Sequence, residues 1–278
     1  MNRRDAVLGG ATASFAIRPS AAAPLPAAEA MIAYRKILAS TREEDVVCWY
    51  LGTMMLRPEG EPEIPVFQAE TIMVYRADDK YESGFRVRWT EVGLFRDPVT
   101  GRPMHSWTNP LTGKTTPMNQ TFRDGPGEYR IAAAGSGVAV TLIQTGATVD
   151  GVDCAMTVEG DRVKWQQVER KIRDVKPGMS KDDVAKLPRA VTTLTLWSSA
   201  AEIGDPTIAS AAASGSYSFE TAGLPTYFGQ PDRTGSAIVR GIMRKAPARE
   251  ALNANGWDIM KAAYPDFFGR DGVAPKWE

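Results

Sequence analysis

The chain has one histidine, His105, whose imidazole is the side chain best suited to exchange protons near neutral pH. His105 lies two residues before Trp107, so the alternation of a β-strand predicts that both side chains face the same side. We therefore predict that His105 is a catalytic base or acid and that Trp107 lines its site. The alternative is a half-exposed hairpin histidine without a catalytic role. A serine hydrolase is disfavoured, because no G-x-S-x-G segment is present to hold the nucleophile.

The segment 84–95 supplies a second candidate group, Glu91. On a strand, Glu91 shares a face with Trp89 and other apolar side chains, whereas Arg88 points to the opposite face. If the face of Glu91 is interior, desolvation raises the pKa of its carboxyl group and suits it to general acid catalysis. If the face of Arg88 is interior, the guanidinium group can bind a carboxylate or a phenolate. The third alternative is that Glu91 pairs with a surface lysine or arginine.

Tyr75 and Glu70 lie on the neighbouring segment 66–76, on opposite faces, so only one of them can share a cavity with Glu91. Tyr75 could donate to an oxyanion or act as an acid; its alternative is simple core packing. Aromatic and methionine side chains in a β-barrel line pockets for flat apolar ligands. We therefore assign catalysis to His105, Glu91 and Tyr75, and substrate binding to Arg88, Trp89, Trp107 and Met73.

Strands must position these residues, because β-branched and aromatic residues dominate most of the chain between turn-forming clusters. The predicted strands are residues 46–56, 66–76, 84–95, 103–108, 129–133, 138–144, 153–158, 162–170 and 191–198. The predicted helices are residues 26–39, 181–187, 248–253 and 257–264, with a turn at 125–127 and a loop or weak helix at 203–216. The pattern predicts a mainly-β fold, an antiparallel meander closed as a lipocalin-like barrel or strongly curled sheet, with peripheral N- and C-terminal helices.

One turn sequence occurs twice, with the second copy twelve residues after the first. It reads D-P-V-T-G-R at 97–102 and N-P-L-T-G-K at 109–114. In each copy the Asx side chain can bond the backbone ahead, Pro presets φ, and Gly takes the left-handed conformation that closes a hairpin. The repeat predicts two consecutive hairpins with the strand 103–108 between them.

These tandem turns, with Trp107 between them, an export-type N-terminus and a Trp/Pro-rich C-terminal end, resemble the domain-of-unknown-function family 1838. The resemblance covers most of the chain after the N-terminal leader. It implies a single domain of this length, often behind a signal peptide. It implies no catalytic residues, because the matching motifs are turns and the family label supplies no chemistry.

Residues 1–23 have the features of a twin-arginine signal peptide: the pair Arg3-Arg4, a short and weakly apolar core, and small residues before Pro24. We predict export to the periplasm and a single β-rich domain over residues 24–278. The apolar core is too short to span a bilayer, which takes about 20 apolar residues, so no integral membrane segment is expected. The periplasm permits a disulfide between Cys48 and Cys154, and two separate buried thiols are the alternative.

Composition argues against several classes of partner. Removing residues 1–23 takes away three arginines and one aspartate, which leaves 30 Lys and Arg against 32 Asp and Glu. Nucleic-acid binding is not expected, because it usually requires a basic excess. Two cysteines and one histidine are too few for a structural zinc site, and no dinucleotide, P-loop or haem-attachment motif is present. We therefore expect neither a cofactor nor a metal.

The favoured function is that of an exported, cofactor-independent enzyme. It would act by acid/base chemistry on a hydrophobic, aromatic small molecule, as a lyase, isomerase or hydrolase. The alternative is a lipocalin-like carrier or sensor that holds an apolar ligand and transforms nothing. A third alternative is an envelope protein whose polar edge strands serve protein partners. The sequence leaves a homo-oligomer open.

Overall fold

A computed structural model describes residues 22–135, 137–144, 147–173, 178–224, 234–245, 254–269 and 275–277. The predicted signal peptide lies outside the described residues except at its last two positions. The predicted helix at 248–253 also lies outside them. None of the helices in the described ranges has the length and hydrophobicity needed to cross a membrane.

The described residues form thirteen strands and four α-helices. The strands are β1 Ala23–Pro24, β2 Asp45–Pro58, β3 Ile64–Asp78, β4 Gly84–Arg96, β5 Ser106–Thr108, β6 Thr115–Pro117, β7 Thr121–Ala134, β8 Gly137–Gln144, β9 Ala147–Glu159, β10 Arg162–Arg173, β11 Arg189–Ser199, β12 Ser214–Ala222 and β13 Gly235–Lys245. The helices are α1 Ala27–Leu38, α2 Lys181–Ala185, α3 Ala200–Gly204 and α4 Ala254–Ala263, followed by a 3₁₀ turn at Pro265–Phe267. The predicted N-terminal helix, the C-terminal helix at 257–264 and the capped helix after Ser180 are confirmed.

Eleven antiparallel strands form one sheet that is nearly closed into a barrel, in the order β1-β9-β10-β11-β12-β13-β2-β3-β4-β7-β8. The strands β8 and β9 approach each other where the circle closes. Strand β13 returns to pair with β2, so that Gly235 lies opposite Pro58 and Lys245 opposite Cys48. Strands β5 and β6 form a separate small hairpin. The predicted mainly-β, barrel-like fold is confirmed.

The main core fills the barrel interior and is closed by α1. Tyr34 of α1 is fully buried, with its ring 5.6 Å from Trp165 and 6.0 Å from Phe85. The helix contacts β7, β8, β10 and β11, so its apolar stripe is buried against inward-facing side chains of the sheet. This packing leaves the space farther along the barrel axis for a cavity.

A second layer covers the outer face of β3 and β4. Helix α4 and the 3₁₀ turn bury Met260 and Phe267 against Ile72 and Leu94, which face away from the barrel interior. A strand covered on both faces is buried along most of its length, and β3 has that pattern. The outer face of β3 and β4 is therefore covered by these elements and contributes no side chains to the barrel interior.

The predicted turn at 125–127 is wrong, because these residues lie inside β7 as a bulge. Trp89 pairs with Gly127 and Glu91 with Asp124, so two residues of β7 lie opposite the single residue of β4 between these pairs. Gly125 takes a φ of 86°, which accommodates the extra residue. Proline cannot donate to a ladder, and a bulge is one of the few places in a sheet that tolerates it.

The C-terminal half of the sheet differs most from the sequence prediction. The segment 203–216, predicted as loop or weak helix, contains the end of α3 and the start of β12, and β13 was not predicted at all. The Ser/Gly-rich start of β12 is ordered by ladders to β11 on one side and β13 on the other. A Cβ on Gly215 would lie 1.9 Å from the carbonyl oxygen of Thr195, so this strand approaches its neighbour where only glycine fits. Pairing partners therefore override the weak local propensity.

Candidate functional site

Two adjoining cavities occupy the barrel interior, which we call the lumen. The first has a volume of about 210 Å³ and the second about 170 Å³. Met73, Glu91, Tyr217 and Phe219 line both cavities and therefore form the boundary between them. The first cavity has a polar floor, whereas the second is lined mainly by aromatic rings.

Strand register brings four of the predicted site residues to the first cavity. Met73 pairs with Glu91, and Tyr75 pairs with Trp89, two positions apart in the β3–β4 ladder. All four side chains point to the interior because they occupy the same face of the sheet. The Tyr75 hydroxyl donates to the Met73 sulfur at 3.7 Å. The first of the three alternatives for Glu91 therefore holds: its carboxyl group is interior.

Glu91 has an unusual environment for a titratable group, because its carboxyl group is buried in the lumen. Burial raises the pKa of its carboxyl from the ordinary value of 4.5 to about 8; the nearby Asp124 carboxylate raises it further, and Lys171 opposes the shift. Glu91 retains some accessible surface because it lines both cavities. Within the described ranges it makes neither a hydrogen bond nor an ion pair. At neutral pH this group is therefore mostly a neutral carboxylic acid that can donate a proton.

A hydrogen-bonded network forms the polar floor of the first cavity. Glu169 accepts from the Tyr129 hydroxyl at 2.7 Å and from the Gln167 amide at 2.7 Å. Its other carboxylate oxygen lies 2.8 Å from the ammonium nitrogen of Lys171, which also donates to Gln144 at 3.0 Å. The buried carboxylate is thus satisfied, and the charge of Lys171 is compensated within the protein.

This network was not predicted from the sequence. Glu169 lies within the predicted strand 162–170 and Lys171 one residue beyond its predicted end, and both continue the inward-facing series of Val163 and Trp165. The signal was that polar residues, Gln167 and the charged pair, follow Val163 and Trp165 on one face, which usually marks a buried ion pair or a functional group.

Tyr217 is the second group that sequence analysis missed, because β12 begins in the segment predicted as loop. It faces both cavities and is only partly buried by its neighbours. Its hydroxyl has no hydrogen-bond partner in the described part of the chain. Burial raises the pKa of this phenol well above its ordinary value, and the nearby Tyr50 and Glu91 add to the shift. Tyr217 and Glu91 are thus two unpaired O–H donors in one lumen.

Arg88 does not belong to the lumen. It occupies the outer face of β4, where one guanidinium nitrogen lies 3.6 Å from Asp78 and another donates to the carbonyl oxygen of Trp277 at 3.3 Å. The Trp277 ring stacks under the same guanidinium group, 5.1 Å away. Since Trp89 and Glu91 take the interior face, the strand's alternation sends Arg88 outward. The predicted binding role of Arg88 in the same site is not supported by this arrangement.

Neither His105 nor Trp107 lines the two lumen cavities. His105 precedes β5, is exposed, and lies 2.7 Å from the Gln120 side-chain nitrogen along an open groove next to α4. Trp107 is buried in the cluster that also contains Phe67 and Phe122 of the second cavity's wall, so it belongs to the core around that cavity without lining it. The predicted strand 103–108 is shorter than expected, because only Ser106–Thr108 pairs as a strand. The two side chains therefore do not share a face.

The contacts of Glu70 and of the two cysteines are those of residues that contribute to the structure. Glu70 lies on the outer face of β3 and pairs with Arg96 at 2.7 Å, as the parity argument predicts when Tyr75 is interior. Cys48 and Cys154 are free thiols on different strands, so the alternative of separate thiols holds. In the described ranges no group of three or more His, Cys, Asp or Glu side chains is arranged to hold a metal ion.

Residues 43–124 match the model of a family described as a protein of unknown function, DUF1838. The matched segment runs from the start of β2 to the bulge of β7, and it includes Glu91 and both repeated turns. The predicted family resemblance is therefore confirmed over these residues. No curated protein and no solved structure matches the chain significantly.

Proposed function

We propose that this protein is a cofactor-independent enzyme. The proposal rests on the geometry of the lumen, because the family match names no activity. The protein binds a small hydrophobic molecule inside the barrel and transfers a proton to or from it, as a lyase or isomerase does. Glu91 is the general acid or base. The observation that carries the proposal is the unpaired Glu91 carboxyl group at the junction of the two cavities.

The position of Glu91 supports catalysis more than packing. A carboxyl group without a partner in an apolar interior costs stability, and a general acid works best when its pKa lies near the working pH. Because burial raises the pKa of Glu91 to about 8, both protonation states are accessible near neutrality. The Glu169–Lys171 pair next to it is satisfied internally, so it supports the cavity floor and leaves Glu91 as the group that exchanges protons.

We also propose that the protein works in the periplasm. This rests on the twin-arginine features of residues 1–23 alone. It is tested by fractionating cells that express the full chain or the variant with Arg3→Lys and Arg4→Lys. Export is expected to stop in the variant while the folded protein accumulates in the cytoplasm; export at the wild-type level would contradict this part of the proposal.

The second candidate function is that of a carrier. The observation that favours it is that Glu91 and Tyr217 offer O–H groups to the first cavity, whereas its charged groups Lys171, Glu169 and Asp124 are already held by other protein groups. A carrier needs only the apolar walls and one hydrogen-bond donor to orient its ligand.

Turnover of a pooled set of aromatic and lipid-like compounds, followed by mass spectrometry, separates the two functions. The proteins to compare are wild type, Glu91→Gln, and His105→Ala as the matched control outside the lumen. We expect wild type and His105→Ala to convert the same compound. In Glu91→Gln the rate should fall by about 100-fold or more, the usual contribution of a general acid or base.

Other outcomes would point to the carrier function or to a different catalytic residue. A compound retained unchanged by all three proteins would favour the carrier. Conversion at the same rate in Glu91→Gln would show that Glu91 is not the acid or base. Loss of conversion in His105→Ala alone would return the catalytic role to the exposed histidine.

A further inference from the structure

We propose that the lumen recognises a neutral carbonyl compound, whose oxygen accepts hydrogen bonds from both the Glu91 carboxyl group and the Tyr217 hydroxyl. This inference deepens the proposed function and rests on it, because it names the chemical class of the substrate for the same site. It concerns binding, and it is testable whether or not turnover is found.

Two O–H donors face the same space. Glu91 and Tyr217 both line the first and the second cavity, so both reach the region where the cavities meet. Neither side chain has a hydrogen-bond partner in the part of the chain that the structure describes. A protonated carboxyl group and a phenol each have one O–H to give. A single acceptor oxygen placed between them would satisfy both groups, as two donors do in an oxyanion hole.

The charges of the lumen favour a neutral ligand. Lys171 carries the positive charge of the first cavity, and Glu169 compensates it at 2.8 Å. Asp124 adds a carboxylate at the cavity wall, held by the Gly125 amide at 2.7 Å and by Gln144 at 3.4 Å. A carboxylate ligand would therefore meet negative groups without a free cation to bind it. A ketone, aldehyde or similar oxygen carries acceptor capacity without that penalty.

The second cavity fits a flat apolar body attached to the carbonyl group. Its walls include Phe67, Phe95 and Phe122; the rings of Phe95 and Phe122 stack with centroids 4.8 Å apart, and the Phe67 ring contacts Phe95 at 4.4 Å in a tilted arrangement. Gly93 makes this wall possible, because a Cβ there would lie 2.2 Å from the ring of Phe122. A planar ring can lie against such a surface while its substituent points to Glu91 and Tyr217.

Acetophenone and α-methylstyrene are the probes for the test, because they have the same shape and differ only by C=O against C=CH₂. Dissociation constants are measured by NMR titration at pH 6, 7, 8 and 9. We expect wild type at pH 6 to prefer acetophenone by about 10-fold, the effect of one or two buried hydrogen bonds. This preference should fall as the pH rises through about 8, where the Glu91 group, whose pKa burial raises, loses its proton.

Three variants assign the preference to the two donors. In Tyr217→Phe the preference should decrease at every pH, because one donor is gone. In Glu91→Gln it should become independent of pH, because the amide keeps its N–H over this range. Tyr81→Phe, which removes a hydroxyl from a tyrosine packed on Arg130 away from the lumen, should behave as wild type.

The inference is overturned if wild type binds both probes equally, binds neither at millimolar concentration, or keeps the same preference in Tyr217→Phe. These failures are distinct from failure of the enzymatic proposal. A carbonyl preference without any turnover would leave the recognition intact and remove the catalysis. Turnover that depends on Glu91, without a carbonyl preference, would do the reverse.

Discussion

Glu91 keeps its proton in the folded protein at pH values where an exposed glutamate has lost it, because the lumen desolvates its carboxylate form. Its folded pKa of about 8 lies above the ordinary value of 4.5. The stability associated with the protonated group is complete below pH 4.5 and is lost progressively as the pH rises toward 8. We expect wild type to lose stability relative to Glu91→Gln over this range, by at most about 1.4 kcal/mol per pH unit. Urea unfolding of both proteins at pH 5, 6, 7 and 8 measures the difference, and parallel curves would contradict a raised pKa.

Arg96 and Glu70 illustrate the opposite case, a charged pair that is satisfied. Arg96 lies 2.7 Å from Glu70, donates to the Gly101 carbonyl at 3.1 Å, and both side chains are buried. Arg96→Ala would leave a buried carboxylate without its cation, so we expect a loss of about 3–5 kcal/mol in the free energy of unfolding. The control is Arg170→Ala, which breaks an exposed pair with Asp153 and should have little effect. Equal effects in the two variants would mean that burial of the Arg96 pair is unimportant.

At the scale of elements, the bulge in β7 positions the site by letting the Trp89 ring lie flat on the sheet. Gly127 lies opposite Trp89, and a Cβ there would be 2.3 Å from the indole ring. Gly127→Ala must displace the indole, so we expect a loss of about 1–3 kcal/mol and weaker ligand binding in the first cavity. Gly137→Ala in β8 is the matched control, because its Cβ would meet open space. Thermal unfolding followed by near-UV circular dichroism tests both; unchanged spectra and stability in Gly127→Ala would contradict the proposed contact.

The elements that the sequence predicts well are those whose local pattern and partners agree. The strands around Trp89 and Trp165 alternate clearly, and α4 covers the outer face of the strand that carries Trp89. The strand carrying Tyr217 could not be predicted in the same way. Its first residues are serine and glycine, and they become a strand only because β11 and β13 pair with them. Tyr217, one of the two donors of the proposed carbonyl site, could therefore not be predicted from the local sequence, whereas Glu91 could.

The predicted shared face of His105 and Trp107 depended on long-range pairing in the same way. The spacing of His105 and Trp107 implies a shared face only if both residues belong to one regular strand. The strand begins at Ser106, so the alternation does not extend to the histidine. Rare residue types attract functional interpretations, but their position relative to a cavity depends on long-range pairing that a single sequence does not contain.

At the scale of the whole molecule, the ring of strands is not equally stable against local opening around its circumference. Cys48 on β2 has ladders on both sides, to Met73 of β3 and Lys245 of β13. Cys154 on β9 pairs with Gln167 of β10, and no ladder joins the described residues of β9 to β8. The β8–β9 seam should therefore open at a lower free energy than the β2 region, which can open only when the barrel unfolds.

The two thiols report this difference directly. Burial raises the pKa of Cys48 and of Cys154 to about 12, so neither reacts while the barrel is closed. We expect iodoacetamide to label Cys154 faster than Cys48 in low urea, because local opening of the seam exposes it. The variants Cys48→Ser and Cys154→Ser, each with one remaining thiol, allow each labelling rate to be followed by mass spectrometry without interference. The rates should converge only as urea approaches the unfolding midpoint, where global unfolding dominates both. Equal rates at all urea concentrations would mean that the barrel opens as one unit, and faster labelling of Cys48 would place the weak seam on the opposite side.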